Sequence, residues 1–184
     1  MQPFLEKAIE LEALKFGDFT LKSGLKSSYF FDISEFFKND ALKMLSDLYV
    51  EKIIEEDLAF DVIFGPAYKG IPLASAVGIS YYEKTGQSID LVFDRKEIKD
   101  HGEGGNIIGN LNSKNVLIID DVLTAGTAIK NSLEVLKTQK ASLVGVIVAL
   151  DREEKNESNV SYRENLEKDG IQVYSIAKIS DLKK

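Results

Sequence analysis

Residues 116–132 read VLIIDDVLTAGTAIKNS: four apolar residues, two acids, a loop of small residues and the opening of a helix. The apolar residues are continuous rather than alternating, which suits a strand covered on both faces. A buried strand feeding a helix through a short loop is the repeating unit of a parallel α/β sheet.

The same unit recurs on either side. DVIF (61–64) runs into GPAYKG (65–70) and a helix expected to reach Ser80. IDLVF (89–93) is followed by a polar, Gly-rich stretch over 95–110. LVGVIVAL (143–150) ends in Asp151 and Arg152, and QVYSIAKI (172–179) follows one more helix. Upstream, FTLKSGLKSSYFFDI (19–33) reads as two short strands around a Ser-Gly turn. Leu5, Ile9, Leu11 and Leu14 suit an opening helix before it. Leu42, Leu45, Leu48, Tyr49 and Ile53 suit another after it, with Asn39 or Asp40 as N-cap. The expected fold is α/β, a parallel twisted sheet flanked by helices with a small N-terminal hood over about 16–37. No linker or repeat divides residues 1–184, so one domain is expected. In such sheets ligands bind beyond the C-terminal ends of the strands. That rule selects residues 65–70, 120–127 and 151–152 for joint attention.

Bulk properties narrow the function. A net charge of −7 over 184 residues argues against a general nucleic-acid or acidic-membrane binder. The absence of cysteine excludes disulfides and thiolate zinc sites, and the single histidine excludes a His-rich metal site. The N-terminal stretch MQPFLEKAIELEALK mixes acids with apolar residues and reads as a helix rather than a signal peptide. The longest apolar run, 143–150, is too short to cross a bilayer, and a cytoplasmic location is expected.

Each candidate site has a plain alternative. Thr124, Ala125, Gly126 and Thr127 would let backbone N–H groups approach an anion at a helix N-terminus, or would form an ordinary Thr cap. No Lys follows Gly126 directly, so this is not a Walker A loop. Asp120 and Asp121 can serve one ligand only where the strand gives way to loop, because strand neighbours point to opposite faces. Carboxylates there accept hydroxyl hydrogen bonds or hold waters around a divalent cation, while the alternative makes one a solvated turn residue. A ribose 5-phosphate unit satisfies loop and acids together. GPAYKG offers Lys69 and backbone amides to a second anion, or is a Gly-Pro turn with a surface Lys. DRKEIKDHGEGGN (94–106) carries Arg95, Lys96, Lys99 and His101 before a run of glycines, as in a closing lid or a solvated hairpin. In the hood, Lys22 is a further cation, and one ring of the Phe30–Phe31 pair would be core while the other covers a flat ring. Arg152 suits a ligand carboxylate, or a salt bridge to Glu153 or Glu154.

Together these segments resemble the type I phosphoribosyltransferases, and within them the orotate-using branch. IIDDVLTAGTA is similar to the family's signature for 5-phosphoribosyl 1-diphosphate (PRPP). FTLKSG, SSYFFD, FGPAYKGIP, FDRKEIKDHGEGG and ALDRE follow the branch's order, and the resemblance runs from about Phe16 to the last strand. It implies that Asp120, Asp121, Val122, Leu123, Thr124, Ala125, Gly126, Thr127 and Ala128 hold the PRPP ribose and 5-phosphate. Tyr68 and Lys69 would meet the diphosphate. Arg95, Lys96, Lys99 and His101 would close over it as a lid (95–110) shared with a neighbouring subunit of a homodimer, and Lys22 would contact PRPP. Phe30, Phe31, Thr124 and Arg152 would bind orotate. Lys99, Arg95, His101 and Asp121 would carry catalysis with Mg²⁺ held mainly by PRPP and waters, yielding orotidine 5′-monophosphate for UMP biosynthesis. Leu25 and Ser28 stand where Arg and Pro are usual, so the hood turn departs from the pattern. A transferase for another base would share residues 120–127 but lack the hood and Arg152. A non-catalytic PRPP-binding regulator would lack the lid cations.

Overall fold

The computed structural model describes residues 2–20, 26–95 and 107–183. Helix α1 (Pro3–Glu10) stops short of the expected Leu14. Glu12 adopts a left-handed φ of 55°, which ends the helical path, and Leu14 becomes the buried first residue of a strand. That strand, β1 (Leu14–Thr20), pairs antiparallel with β2 (Lys26–Phe31) to form the hood. A 3-10 turn over Ile33–Phe36 leads to α2 (Asn39–Glu55). Its cap position falls on Lys38, without a side-chain cap bond, rather than on Asn39 or Asp40. Asp40 instead lies in the first turn, where a negative charge suits the helix dipole.

The main sheet contains β3 (Val62–Gly65), β4 (Asp90–Asp94), β5 (Ile107–Ile108), β6 (Asn115–Leu123), β7 (Ser142–Asp151) and β8 (Val173–Lys178). They lie in the order β5-β4-β3-β6-β7-β8, all parallel except the short edge strand β5. The crossovers carry α3 (Gly70–Thr85), α4 (Thr127–Thr138) and α5 (Tyr162–Lys168). Helix α3 passes the expected Ser80 and is closed by Gly86 at φ 73°.

The continuous apolar strands have the predicted cause. Leu117, Ile119, Ile63, Ile147 and Ala149 pack with α2 and α3 through Leu45, Tyr49, Leu73 and Val77. Val116, Ile118, Val62, Phe64, Val146 and Val148 form a second core on the other face, with Ile129 and Leu136 of α4 and Leu166 of α5. Successive strand residues thus enter opposite cores. The helix after β3 and the helix after β6 lie on opposite faces, so these adjacent strands bound a topological switch point, where α/β sheets leave a crevice. Among the described residues no helix is long and apolar enough to cross a membrane.

Candidate functional site

β3 pairs with β6 only as far as Phe64 opposite Ile118, whereas β6 stays paired with β7 to Leu123. The end of β6 therefore overhangs the crevice. The strand does not yield to loop at the two acids as expected, since β6 runs on to Leu123, yet their carboxyl groups are not turned apart: the side chains of Asp120 and Asp121 hydrogen-bond each other, so both can serve one ligand. Asp121 reaches toward the loop after β3, with its Oδ2 3.7 Å from Lys69 Nζ. Asp120 is 7% exposed. Its Oδ1 accepts the Asp121 N–H at 2.9 Å, and its carbonyl accepts the hydroxyl of buried Tyr49 at 2.7 Å. Burial, then the adjoining charge of Asp121, pushes the Asp120 carboxyl above the ordinary range. Burial also raises Asp121, where the Lys69 ammonium opposes it.

Beyond the acids the chain turns into α4 through Thr124, Ala125 and Gly126. Gly126 occupies the cap position at φ 72°, and a Cβ there would come within 3.3 Å of Leu166 Cδ1. No side chain caps α4 and its first turn carries no acid. The first-turn N–H groups lack intrahelical acceptors by geometry, and the dipole favours an anion beside them.

The loop after β3 is folded back on itself. A Cβ on Gly65 would lie 2.4 Å from the Gly70 carbonyl oxygen, and one on Gly70 would lie 2.8 Å from Pro66 Cδ. The Ala67–Tyr68 peptide is cis. Asp94, ending β4, accepts the Ala67 N–H at 2.6 Å and tethers the loop. Tyr68 is exposed, and Lys69 Nζ lies 2.8 Å from Asp32 Oδ1 of the hood.

At the neighbouring exit, the Arg152 N–H bonds the Leu123 carbonyl at 3.3 Å, placing Arg152 beside the end of β6. Its guanidinium lies 4.5 Å over the Tyr29 ring and donates from Nη2 to Ser27 Oγ at 3.2 Å. Its Nε is 2.7 Å from Glu154 Oε1, so the alternative salt bridge forms, while Arg152 still faces the hood. Asp151 is held by Arg163 at 3.2 Å, which stiffens this exit.

Of the hood aromatics, Phe30 is 42% exposed, with its ring 5.7 Å from that of Phe19. Phe31 is corrected as a ligand-facing ring: it is buried in the core, edge-on to Phe4 at 6.1 Å, because alternation on β2 sends its side chain inward. Arg95 is half-buried where β4 ends. Lys22, Lys96, Lys99 and His101 lie outside the described residues. Tyr49, Asp94 and Asp32 support the site without having been singled out from sequence. Each acts across a long stretch of chain, and no local pattern marks it.

Oxygen donors such as Asp120 and Asp121 suit a hard cation like Mg²⁺. Among the described residues no three His, Cys, Asp or Glu side chains are grouped to ligate a metal by themselves.

Comparison with known proteins agrees with this geometry. The model of the phosphoribosyl transferase domain family matches residues 32–175. An orotate phosphoribosyltransferase of Salmonella arizonae is 44% identical over 97% of this chain and 84% of its own. One from Aeromonas salmonicida is also 44% identical, over 97% of this chain and 83% of its own. The crystal structure of the Francisella tularensis orotate phosphoribosyltransferase superposes with a TM-score of 0.84 at 38% identity, covering 97% of this chain and 87% of that one. An adenine phosphoribosyltransferase of Leishmania tarentolae shares the fold at a TM-score of 0.66 with 14% identity, covering 97% of this chain and 88% of its own. A crevice with an acid pair on one strand, an uncapped helix beside it and a family match across most of the chain lead to one assignment: the chain belongs to the phosphoribosyltransferase family.

Proposed function

We propose that the chain transfers the phosphoribosyl group of PRPP to orotate, releasing pyrophosphate and forming orotidine 5′-monophosphate in cytoplasmic pyrimidine synthesis. The observation that carries the reading is the juxtaposition, across β6 and β7, of an anion-ready helix end with Arg152 under the hood. The first turn of α4 and the loop residues Val122, Leu123, Thr124, Ala125, Gly126, Thr127 and Ala128 would bind the 5-phosphate. Asp120 and Asp121 would take the ribose hydroxyls, Asp121 with a catalytic part. Tyr68, Lys69 and Lys22 would meet the diphosphate. Phe30 would cover the orotate ring, with Thr124 and Arg152 at its carboxylate, and Phe31 would anchor this strand from the core side.

Orotate's ring nitrogen would attack the anomeric carbon as the bond to pyrophosphate breaks, through an oxocarbenium-like transition state, its N–H proton passing to solvent or to the released pyrophosphate. Negative charge grows on the leaving group, so cations placed there stabilise the transition state more than the ground state. Arg95, Lys96, Lys99 and His101 would supply that charge and, as a lid, exclude water that would hydrolyse the activated sugar. Asp120 and Asp121 would hold waters around a Mg²⁺ brought in with the diphosphate, which would supply further charge neutralisation. The lid would serve the partner's site in a homodimer.

Loss of orotate absorbance with PRPP and Mg²⁺ tests the reaction. Turnover with adenine or hypoxanthine and none with orotate would overturn the choice of base. Mixing Lys99→Ala and Asp121→Ala subunits tests lid sharing. Partial recovery of activity is expected, and no recovery refutes a shared site.

A further inference from the structure

Asp32 has no part in the transfer described above, yet its carboxylate enters the site. It follows β2 directly and heads the 3-10 turn, where Oδ1 accepts the Ser34 N–H at 3.1 Å and the Ser34 hydroxyl. The same oxygen lies 2.8 Å from Lys69 Nζ, on a loop 37 positions away in sequence. Asp121 also approaches that ammonium, at 3.7 Å. Lys69 is thus suspended between an acid of the hood and an acid of β6. Partial burial works against the Asp32 charge, but hydrogen bonds from Lys69 and Ser34 prevail and hold its pKa at about 2. It is anionic at neutral pH.

Capping alone does not account for this arrangement. A neutral Asn caps a turn as well as Asp does, and the Ser34 bonds do not require the ammonium. A fixed carboxylate on Lys69 opposes the entry of a multiply charged diphosphate unless the ion pair opens.

We propose that Asp32 is a positioning residue: it latches Lys69 and yields it to the incoming diphosphate. Part of the PRPP affinity is then set by an ion pair between the hood and the loop after β3. This rests on the reading of Lys69 as a diphosphate ligand. The pair holds the ammonium between the hood and β6, at the cost of a competitor that the ligand must displace.

Asp32→Asn removes the charge and keeps the cap, so it separates the two roles. Calorimetric titration of wild type, Asp32→Asn, Lys69→Gln and the double variant with magnesium pyrophosphate gives a double-mutant cycle. Asp32→Asn is expected to bind about two- to fivefold more tightly, the range a partly exposed ion pair allows. The gain should vanish in the Lys69→Gln background. Unchanged or weaker binding by Asp32→Asn overturns the latch. So does an equal gain without Lys69, which would make Asp32 a general negative charge near the site. No pyrophosphate binding by wild type overturns it as well. Orotate turnover by wild type, measured alongside, separates the two ideas. A coupled cycle without turnover removes the proposed reaction and leaves the latch, and turnover with an additive cycle does the reverse.

Discussion

Gly65→Ala tests the geometry that places Lys69. The added Cβ would meet the Gly70 carbonyl oxygen at 2.4 Å, Gly70 C at 2.8 Å and Ala74 Cβ at 2.8 Å. Two of these atoms are backbone, so no side-chain rotation relieves the clash, and the start of α3 must move away from β3. Overpacking of this kind costs about 1–3 kcal/mol, and the backbone contacts place Gly65 at the upper end. A domain of this length loses about 2–4 °C of melting temperature per kcal/mol, so a drop of ~6–12 °C is expected. Movement of the loop also displaces Tyr68 and Lys69, and a shift near 1 Å at a reacting centre costs ~100-fold in rate. The assay pairs thermal melting with kcat/KM for PRPP. Gly78→Ala is the control: nothing lies within 4 Å of its added Cβ, and mid-helix Ala should stabilise by about 0.5–1 kcal/mol. A Gly65→Ala protein that melts and turns over like wild type would refute the claim that close approach of β3 and α3 shapes the loop.

Asp120→Asn should raise the melting temperature at pH 8 while lowering turnover. The folded pKa of Asp120 is raised, so its stability contribution is full below the ordinary value of 3.8 and declines as pH rises through the raised folded value. The amide removes that decline, and the gain in melting temperature should fade at acid pH; a gain independent of pH would contradict the burial argument. Tyr49→Phe deletes the 2.7 Å hydrogen bond to the Asp120 carbonyl and should cost about 1–3 kcal/mol in denaturant melts. Equal stability would mean that the carbonyl finds another donor. Arg152→Gln should lower kcat/KM for orotate by ~10- to 100-fold, the worth of a charged hydrogen bond, with KM for PRPP nearly unchanged. Equal losses for both substrates would show that Arg152 supports the whole site rather than the base.

Local pattern carried much of this protein. Continuous apolar runs announced strands buried on both faces, because each side of the sheet must exclude water. Strand–loop–helix order announced the parallel sheet, and the ligand rule for such sheets selected the three exits that lie around the crevice. What sequence left open depends on which distant segments meet. The helical periodicity of Leu5, Ile9, Leu11 and Leu14 did not reveal the left-handed turn at Glu12 that moves Leu14 into the hood. The short edge strand β5 has too few residues to show a period. The Phe30–Phe31 pair predicted one inward ring, but only the packing on Phe4 selects Phe31. Asp120 and Asp121 were legible as a pair, whereas their unequal burial follows from Tyr49 and Lys69, brought in by other elements. Asp32 was legible only as the acid after two aromatics. Periodicity along the chain records which side of an element is dry, while ion pairs such as Asp32 with Lys69 exist only once tertiary packing brings the two segments within hydrogen-bond reach.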